Sequence, residues 1–494
     1  MRFVSGTFVP MVVSLGRVGP LRAAARYAPF YSSIALMLGM SSVFAHSQAA
    51  PKPEQTTPPP PQPGTGAQVQ TGSQFGEQSI MNTLARLLAD HQFEQMQQLL
   101  DAPDDASSSA AKSPLTPEQK QLYRGVLANR DNKPQESIQL LQPLLDKWKT
   151  TERTPSEKLL RKTLAEDYLR AGELAKANQA YLELEYRYGG TMTQDEKDEI
   201  QMPVRLLPLV YQFPPMTVEP GESFTLPYDR DALGLTDVPV FVDGQSHDWM
   251  LDPTAPFNLI CRSTAKEIGL KISDEYATIT TLTGHPMRVQ AAVIPRFTIG
   301  TITYRDMTVF VFDDKDYYFP ASNYQVRGVL GYPAVSALGS LTISFESNIE
   351  VHPGEKSERL TTGARFYLDG DRVIAALGKQ GDERMFTIDA GGQQTYLTSR
   401  YFGEHADEFA SKKMQLLALP GTQNKPPAPA YVADSATLQI GTTPVSIHYV
   451  QVLTQPLGDA ALDDVYGTLG MDLFDELKSY TFDYRTMRFA VTTH

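Results

Sequence analysis

The chain has 494 residues, of which 20% are charged and 41% hydrophobic, and a formal net charge of -13. Its length predicts two or three domains, because one domain takes roughly 150 residues. The acidic balance excludes nucleic acid and anionic lipid surfaces as favoured partners. The single cysteine, Cys261, excludes an internal disulfide and a multi-cysteine metal site. We expect neither a metal nor a cofactor.

The first 76 residues carry features of export, followed by a linker. Four arginines precede an apolar run at residues 34–45, and residues 43–45 suit cleavage of a signal peptide. The run is shorter than the roughly 20 residues of a membrane span. We therefore predict that residues 1–50 form a signal peptide or an N-terminal anchor, the only expected membrane contact, and that the protein is periplasmic or secreted. The proline-rich residues 51–76 predict an extended linker.

Residues 77–201 show the apolar spacing of amphipathic helices in series. Three turns in this segment look alike, at residues 91–96, 132–138 and 172–177. The third resembles a tetratricopeptide helix pair in its small residues, while the spacing of the turns exceeds the usual repeat of about 34 residues. The segment is either a tetratricopeptide-like domain or a helical bundle. In both cases we expect it to bind or position a protein partner.

After Pro203 the helical period disappears and short β-rich runs separated by turn residues continue to the end of the chain. Such runs predict an all-β region. Examples occur at residues 238–242, 291–294, 307–312, 341–345, 446–452 and 480–491. The predicted fold is therefore multidomain, with an N-terminal all-α repeat-like domain followed by an all-β region.

The β region consists of two halves with the same landmarks in the same order. An apolar run ends in Asp252 in the first half and in Asp389 in the second. Gly-Val-Leu-Gly at residues 328–331 returns as Gly-Thr-Leu-Gly at residues 467–470. A strand that ends in an aspartate followed by turn residues delivers the carboxylate into a tight turn. Two such carboxylates predict a paired-acid site, in which the two groups share a proton and serve as base and acid.

These landmarks resemble the retropepsin-like and pepsin-like aspartic peptidases, in the form of bacterial single chains with two related lobes. In that family each lobe combines a strand ending in Asp-Thr/Ser-Gly, a flap hairpin, and an apolar-apolar-Gly strand that lies against the catalytic turn. Asp252 and Gly331 fit this pattern in the first half, and Asp389 and Gly470 fit it in the second.

The resemblance covers roughly residues 206–490 and implies two lobes, at residues 202–356 and 357–494. It implies that Asp252 and Asp389 are catalytic and that a cleft between the lobes takes a peptide or protein substrate. Gly284 and His285 lie at the position of a first-lobe flap.

The two turns depart from the family pattern at the residues that follow the aspartates. Pro253 stands where a hydroxyl normally braces one turn against the other, and proline has no N–H to donate. The β-branched Thr254 replaces a glycine. In the second turn Gly391 is kept, but Ala390 lacks the hydroxyl. Two hypotheses follow: an aspartic endopeptidase of the cell envelope, or a catalytically inactive peptidase-like module that binds peptides or acts as a scaffold.

Overall fold

The computed structural model describes residues 72–102, 115–148, 153–280, 286–320, 322–354, 359–392, 394–417, 427–458 and 460–494. The predicted signal segment and most of the predicted linker lie outside these residues. Within the described ranges, no helix is both long enough and apolar enough to cross a membrane.

The described chain begins with a helical domain. Its helices are α1 (Gly72–Ala89), α2 (Phe93–Asp101), α3 (Pro117–Arg130), α4 (Pro134–Lys147), α5 (Pro155–Arg170), α6 (Leu174–Tyr188) and α7 (Gln194–Leu206), followed by a 3₁₀ turn at Leu207–Leu209. The side chains of Thr116, Thr154 and Thr193 each accept a backbone N–H from the first turn of α3, α5 and α7. The helical prediction is confirmed, and the predicted boundary at residue 201 falls inside α7.

Three helical hairpins in this domain turn in the same way. His91, Asn132 and Gly172 each take a left-handed conformation, with φ of 55°, 56° and 72°. The next residue then donates its N–H to a carbonyl five positions back: Gln92 to Leu87 at 2.7 Å, Lys133 to Ala128 at 2.9 Å, and Glu173 to Tyr168 at 2.9 Å. This shared turn accounts for the three similar sequence segments. The tetratricopeptide likeness stays a prediction.

The rest of the described chain is largely β, as predicted. Its first half contains β1 (Thr217–Glu219), β2 (Phe224–Pro227), β3 (Asp229–Arg230), β4 (Thr236–Val242), β5 (Gln245–Leu251), β6 (Leu259–Cys261), α8 (Arg262–Glu267), β7 (Ala277–Thr280), β8 (Pro286–Ile299), β9 (Ile302–Phe312), β10 (Tyr318–Phe319), β11 (Tyr324–Gln325), β12 (Gly328–Leu330), α9 (Tyr332–Val335), β13 (Ser340–Ser344) and β14 (Asn348–His352). One sheet of this half runs β1-β9-β6-β12-β5-β4-β8-β7, with β3 beside β4. We call this sheet the first lobe.

The second half repeats this order. It contains β15 (Ala364–Asp369), β16 (Arg372–Lys379), β17 (Asp382–Ile388), β18 (Tyr396–Leu397), α10 (Ser399–His405), β19 (Gln415–Leu417), β20 (Ala428–Ile440), β21 (Thr443–Leu453), α11 (Ala460–Asp463), β22 (Gly467–Leu469), α12 (Met471–Phe474), β23 (Leu477–Asp483) and β24 (Arg488–Thr493). Strands β15–β22 form the second lobe, and the sheet continues through β24-β23-β13-β14-β2, which we call the shared sheet.

The shared sheet relates the two halves by an approximate twofold axis. β13 and β23 pair antiparallel with Thr342 opposite Thr481, and the two hydroxyl oxygens lie 2.8 Å apart. These residues are separated by 139 positions, which is also the shift between the two Gly-X-Leu-Gly segments. A residue that faces its own counterpart marks a self-complementary contact. The sequence repeat is therefore also a structural repeat.

The helical domain packs on the second lobe through apolar and ionic contacts. The ring of Phe93 lies 4.7 Å from that of Tyr367, in an apolar cluster that spans α1–α3 and β15–β17. Beside this cluster, the buried Arg130 pairs with Glu166 at 3.0 Å and with Asp369 at 2.8 Å. Charges taken out of water must be paired to be tolerated. The ion pairs therefore fix how the helices sit on the second lobe.

Candidate active site

The central strands of the two halves deliver the two predicted aspartates to equivalent places. β5 runs parallel to β12, and β17 runs parallel to β22. Directly after these strands, the N–H of Asp252 donates to the carbonyl of Leu330 at 3.0 Å, and the N–H of Asp389 donates to that of Leu469 at 2.9 Å. Each aspartate is thus held by its backbone at the end of a central strand.

Asp252 is almost completely buried, with 1% of its surface exposed. Its Oδ1 accepts the N–H of Thr254 at 2.9 Å, the hydroxyl of Thr254 at 2.6 Å and the N–H of Ala255 at 3.2 Å. Burial raises the pKa of this carboxyl, and the three donors act against that rise because they favour the charged form. Thr254, which departs from the family pattern, therefore supplies a donor to the site.

Asp389 is partly exposed and sits in a turn of the same design. The N–H groups of Gly391 and Gly392 donate to its carboxyl, at the positions that Thr254 and Ala255 occupy after Asp252. A Cβ on Gly392 would lie 2.7 Å from Oδ2 of Asp389, so a side chain there would displace the carboxylate. The sequence pattern did not single out Gly392.

The charge of Asp252 acts on Asp389. Burial and the nearby charge of Asp252 raise the pKa of Asp389 to about 7. Asp252 has an additional hydroxyl donor from Thr254, which stabilises its ionised form. Two acids whose surroundings differ in this way divide into a base and an acid. The arrangement therefore favours Asp252 as the ionised member of the pair and Asp389 as the protonated member.

The first turn makes a hydrogen bond to the second half of the repeat through Pro253. Pro253 is buried, and its carbonyl accepts the hydroxyl of Tyr484 at 2.9 Å. Tyr484 lies between β23 and β24, so it ties the first turn to the second half of the repeat. In the second turn Ala390 is buried. Sequence reasoning missed Tyr484, because 231 positions separate it from its partner and no motif marks it.

The two inner glycines, Gly331 and Gly470, approach neighbouring backbone closely. A Cβ on Gly331 would lie 2.2 Å from the carbonyl oxygen of Phe257, and one on Gly470 would meet backbone atoms at 2.7 Å. The N–H of Gly331 donates to Oδ1 of Asn258 at 3.0 Å, and that of Gly470 donates to Oγ1 of Thr395 at 2.9 Å. Asn258 and Thr395 each lie six positions after their aspartate.

The predicted flap residues Gly284 and His285 lie outside the described residues. The strands on either side of them, β7 and β8, pair antiparallel as far as Thr280 opposite Pro286. The flap assignment of Gly284 and His285 stays a prediction.

Within the described ranges, no group of three or more His, Cys, Asp or Glu side chains is arranged so that it could hold a metal ion. The site that the described residues form is a pair of carboxyls with backbone and hydroxyl donors.

A fold of two repeated halves with one aspartate turn in each defines an aspartic-peptidase-like β region. The sequence model of the family described as "Aspartyl protease" matches residues 238–334, which include Asp252 and Gly331. The structure is also similar to that of a retropepsin-like aspartic protease from Rickettsia conorii, with 18% identity and a TM-score of 0.19. The aligned part covers 26% of this chain and 97% of the Rickettsia chain. No curated protein sequence matches the chain. The family match confirms an aspartic-protease-like domain in the chain.

Proposed function

We propose that the protein is an aspartic endopeptidase that hydrolyses peptide bonds with a water molecule activated by Asp252 and Asp389. The observation that carries this proposal is the coupled pair of carboxyls in equivalent turns, with the pKa of Asp389 raised to about 7 by burial and by Asp252. The family match over residues 238–334 supports the same chemistry.

In the proposed reaction, the ionised carboxylate of Asp252 takes a proton from water as that water attacks the peptide carbonyl. The protonated carboxyl of Asp389 donates a hydrogen bond to the developing oxyanion and later supplies a proton to the departing amine. Hydrogen bonds from the N–H and hydroxyl of Thr254 keep Asp252 ionised in its buried position. The substrate class is an extended peptide, which binds in such a cleft through its backbone.

A non-catalytic peptide-binding or scaffold module is the second candidate function. It is favoured by Pro253 and Ala390, which both lack the hydroxyl that would brace the two turns. In this case the cleft would bind peptides without cleaving them.

Incubation with a mixed peptide library between pH 3 and 7, read by mass spectrometry, tests the proposal. Asp389→Asn should abolish cleavage, whereas Asp382→Asn, an exposed carboxylate on β17 with 75% of its side chain accessible, should leave cleavage unchanged. Peptide binding without any cleavage by the wild type would favour the scaffold instead.

The cellular setting is a further part of the proposal. The arginine-bearing segment and the apolar run at residues 34–45 support export to the cell envelope. The N-terminal sequence of protein purified from an envelope fraction would test this. A chain that begins at residue 1 and stays in the cytoplasm would contradict export.

A further inference from the structure

A cavity of about 500 Å³ lies between the helical domain and the first catalytic turn. Residues of the helical domain and of both halves of the β region line it. The helical domain contributes Leu169, Leu174 and other apolar residues of α5–α7, the catalytic turn contributes Pro253 and Thr254, and the connection between β15 and β16 contributes Gly370. Cavities of roughly 300–1,000 Å³ that are mostly apolar are typical of ligand sites.

The cavity adjoins the residues that follow Asp252 in the catalytic turn. Thr254 lines it and also donates its hydroxyl to Asp252 at 2.6 Å. A side chain held in this cavity would therefore belong to a peptide segment close to the paired carboxyls.

The helical wall of the cavity is fixed relative to the catalytic turn. The N–H of Tyr332 donates to the carbonyl of Ala255 at 2.6 Å, and the hydroxyl of the same tyrosine donates to Asn132 in the α3–α4 turn. On the other side, Arg170 of α5 donates to the carbonyl of Gly370 at 2.9 Å. Hydrogen bonds thus join the helical wall to the catalytic turn and to the second lobe.

The charged residues around the cavity already have partners within the protein. Lys162 pairs with Glu166 at 3.4 Å and also with Glu199, and Arg170 donates to two backbone carbonyls. The remaining helical lining is largely leucine, isoleucine, methionine, proline and valine. The chemistry of the cavity therefore suits an apolar side chain.

We propose that this cavity receives a large apolar side chain of the peptide substrate, and that the helical domain, by forming its outer wall, selects the substrate. This inference rests on the proposed peptidase function, because the bound peptide is a substrate only if the protein cleaves it. It assigns the helical domain a direct part in recognition of the peptide.

The test changes the size of the cavity from the helical side. Leu174→Trp at the start of α6 should fill it, and Leu182→Trp on the same helix is the matched control, because Leu182 is 41% exposed and does not line the cavity. Leu169→Ala should enlarge it. The probes are two octapeptides blocked at both ends, one with phenylalanine and one with alanine at its two central positions, with binding measured by calorimetry on the Asp389→Asn background.

Leu174→Trp should weaken binding of the phenylalanine peptide by about tenfold or more, because a fully buried aromatic side chain contributes about that factor. Binding of the alanine peptide and of both peptides to Leu182→Trp should stay unchanged. In the catalytically intact protein, Leu174→Trp should raise KM for the phenylalanine peptide by the same factor. Leu169→Ala should shift cleavage of the peptide library toward larger side chains.

Equal affinity of the wild-type cavity and Leu174→Trp for the phenylalanine peptide would overturn the inference. If the wild type cleaves peptides and both Leu174→Trp and Leu169→Ala cleave them in the same way, the inference about the cavity is overturned, while the proposed peptidase function stands. If Leu174→Trp weakens peptide binding but the wild type cleaves no peptide, the proposed role of the cavity stands and the proposed peptidase function fails.

Discussion

Replacing Asp389 with asparagine should make the folded protein more stable at high pH. The site raises the pKa of this carboxyl from an ordinary value of 3.8 to about 7, because the group is largely withdrawn from water and lies near the charge of Asp252. Between these two pH values the folded state keeps a proton that the unfolded chain has released. The contribution of Asp389 to the free energy of unfolding is therefore largest below pH 4 and is lost as the pH rises through 7.

The size of this effect follows from the shift in pKa. A shift from 3.8 to about 7 corresponds to a cost of about 4 kcal/mol at pH 8, where both states are ionised. Asparagine cannot ionise, so the variant avoids this cost. Relative to the wild type, we expect Asp389→Asn to gain about 3 to 4 kcal/mol between pH 4 and pH 8.

Urea unfolding of the wild type and the variant at pH 4 and pH 8 measures this difference directly. Asp382→Asn, on the same strand but exposed, serves as the control and should change little between the two pH values. A variant whose stability relative to the wild type is the same at both pH values would refute the reasoning, because the carboxyl would then titrate alike in the folded and unfolded chain.

Three further substitutions test other contacts of the site and of the domain interface. Thr254→Val removes the hydroxyl donor to Asp252 and should move the acidic limb of the cleavage profile up by about one pH unit, since the lost bond favoured the ionised form. Thr254→Ser should keep the wild-type profile. An acidic limb that Thr254→Val leaves in place would contradict this role. Tyr484→Phe leaves the buried carbonyl of Pro253 without its donor and should cost about 1 to 2 kcal/mol in urea unfolding; unchanged stability would show that the tie is unimportant. Arg130→Met removes the guanidinium that pairs with both Glu166 and Asp369, each of which keeps a second cationic partner, and should cost about 2 to 3 kcal/mol while exposing the helical domain to limited proteolysis. A variant as resistant to proteolysis as the wild type would show that other contacts hold the interface.

The repeated landmarks in the sequence predicted the β region well, because a repeat constrains both halves at once. The pairs Asp252 with Asp389 and Gly331 with Gly470 are fixed by close backbone approach, and such positions leave a clear signature of glycine and small residues. The helical segment was predicted from its apolar period. Its packing against the second lobe was not, because the salt bridge between Arg130 and Asp369 joins residues far apart in sequence.

The departures from the family pattern were correctly located but incompletely interpreted. Pro253 and Thr254 looked like losses, since neither offers what the family residue offers at that position. The structure shows that the carbonyl of Pro253 is used by Tyr484 and that the hydroxyl of Thr254 is used by Asp252. Replacement partners of this kind are invisible in the sequence, because any tyrosine far along the chain would satisfy the same bond.

The central claim, that two coupled carboxyls hydrolyse peptides, is tested most directly by the rate of peptide cleavage as a function of pH for the wild type, Asp252→Asn and Asp389→Asn. We expect a bell-shaped wild-type profile that falls on its alkaline side near pH 7, where Asp389 loses its proton. Both asparagine variants should show no cleavage at any pH. Cleavage that persists in either variant, or a wild type that binds peptides and leaves them intact at every pH, would contradict the account.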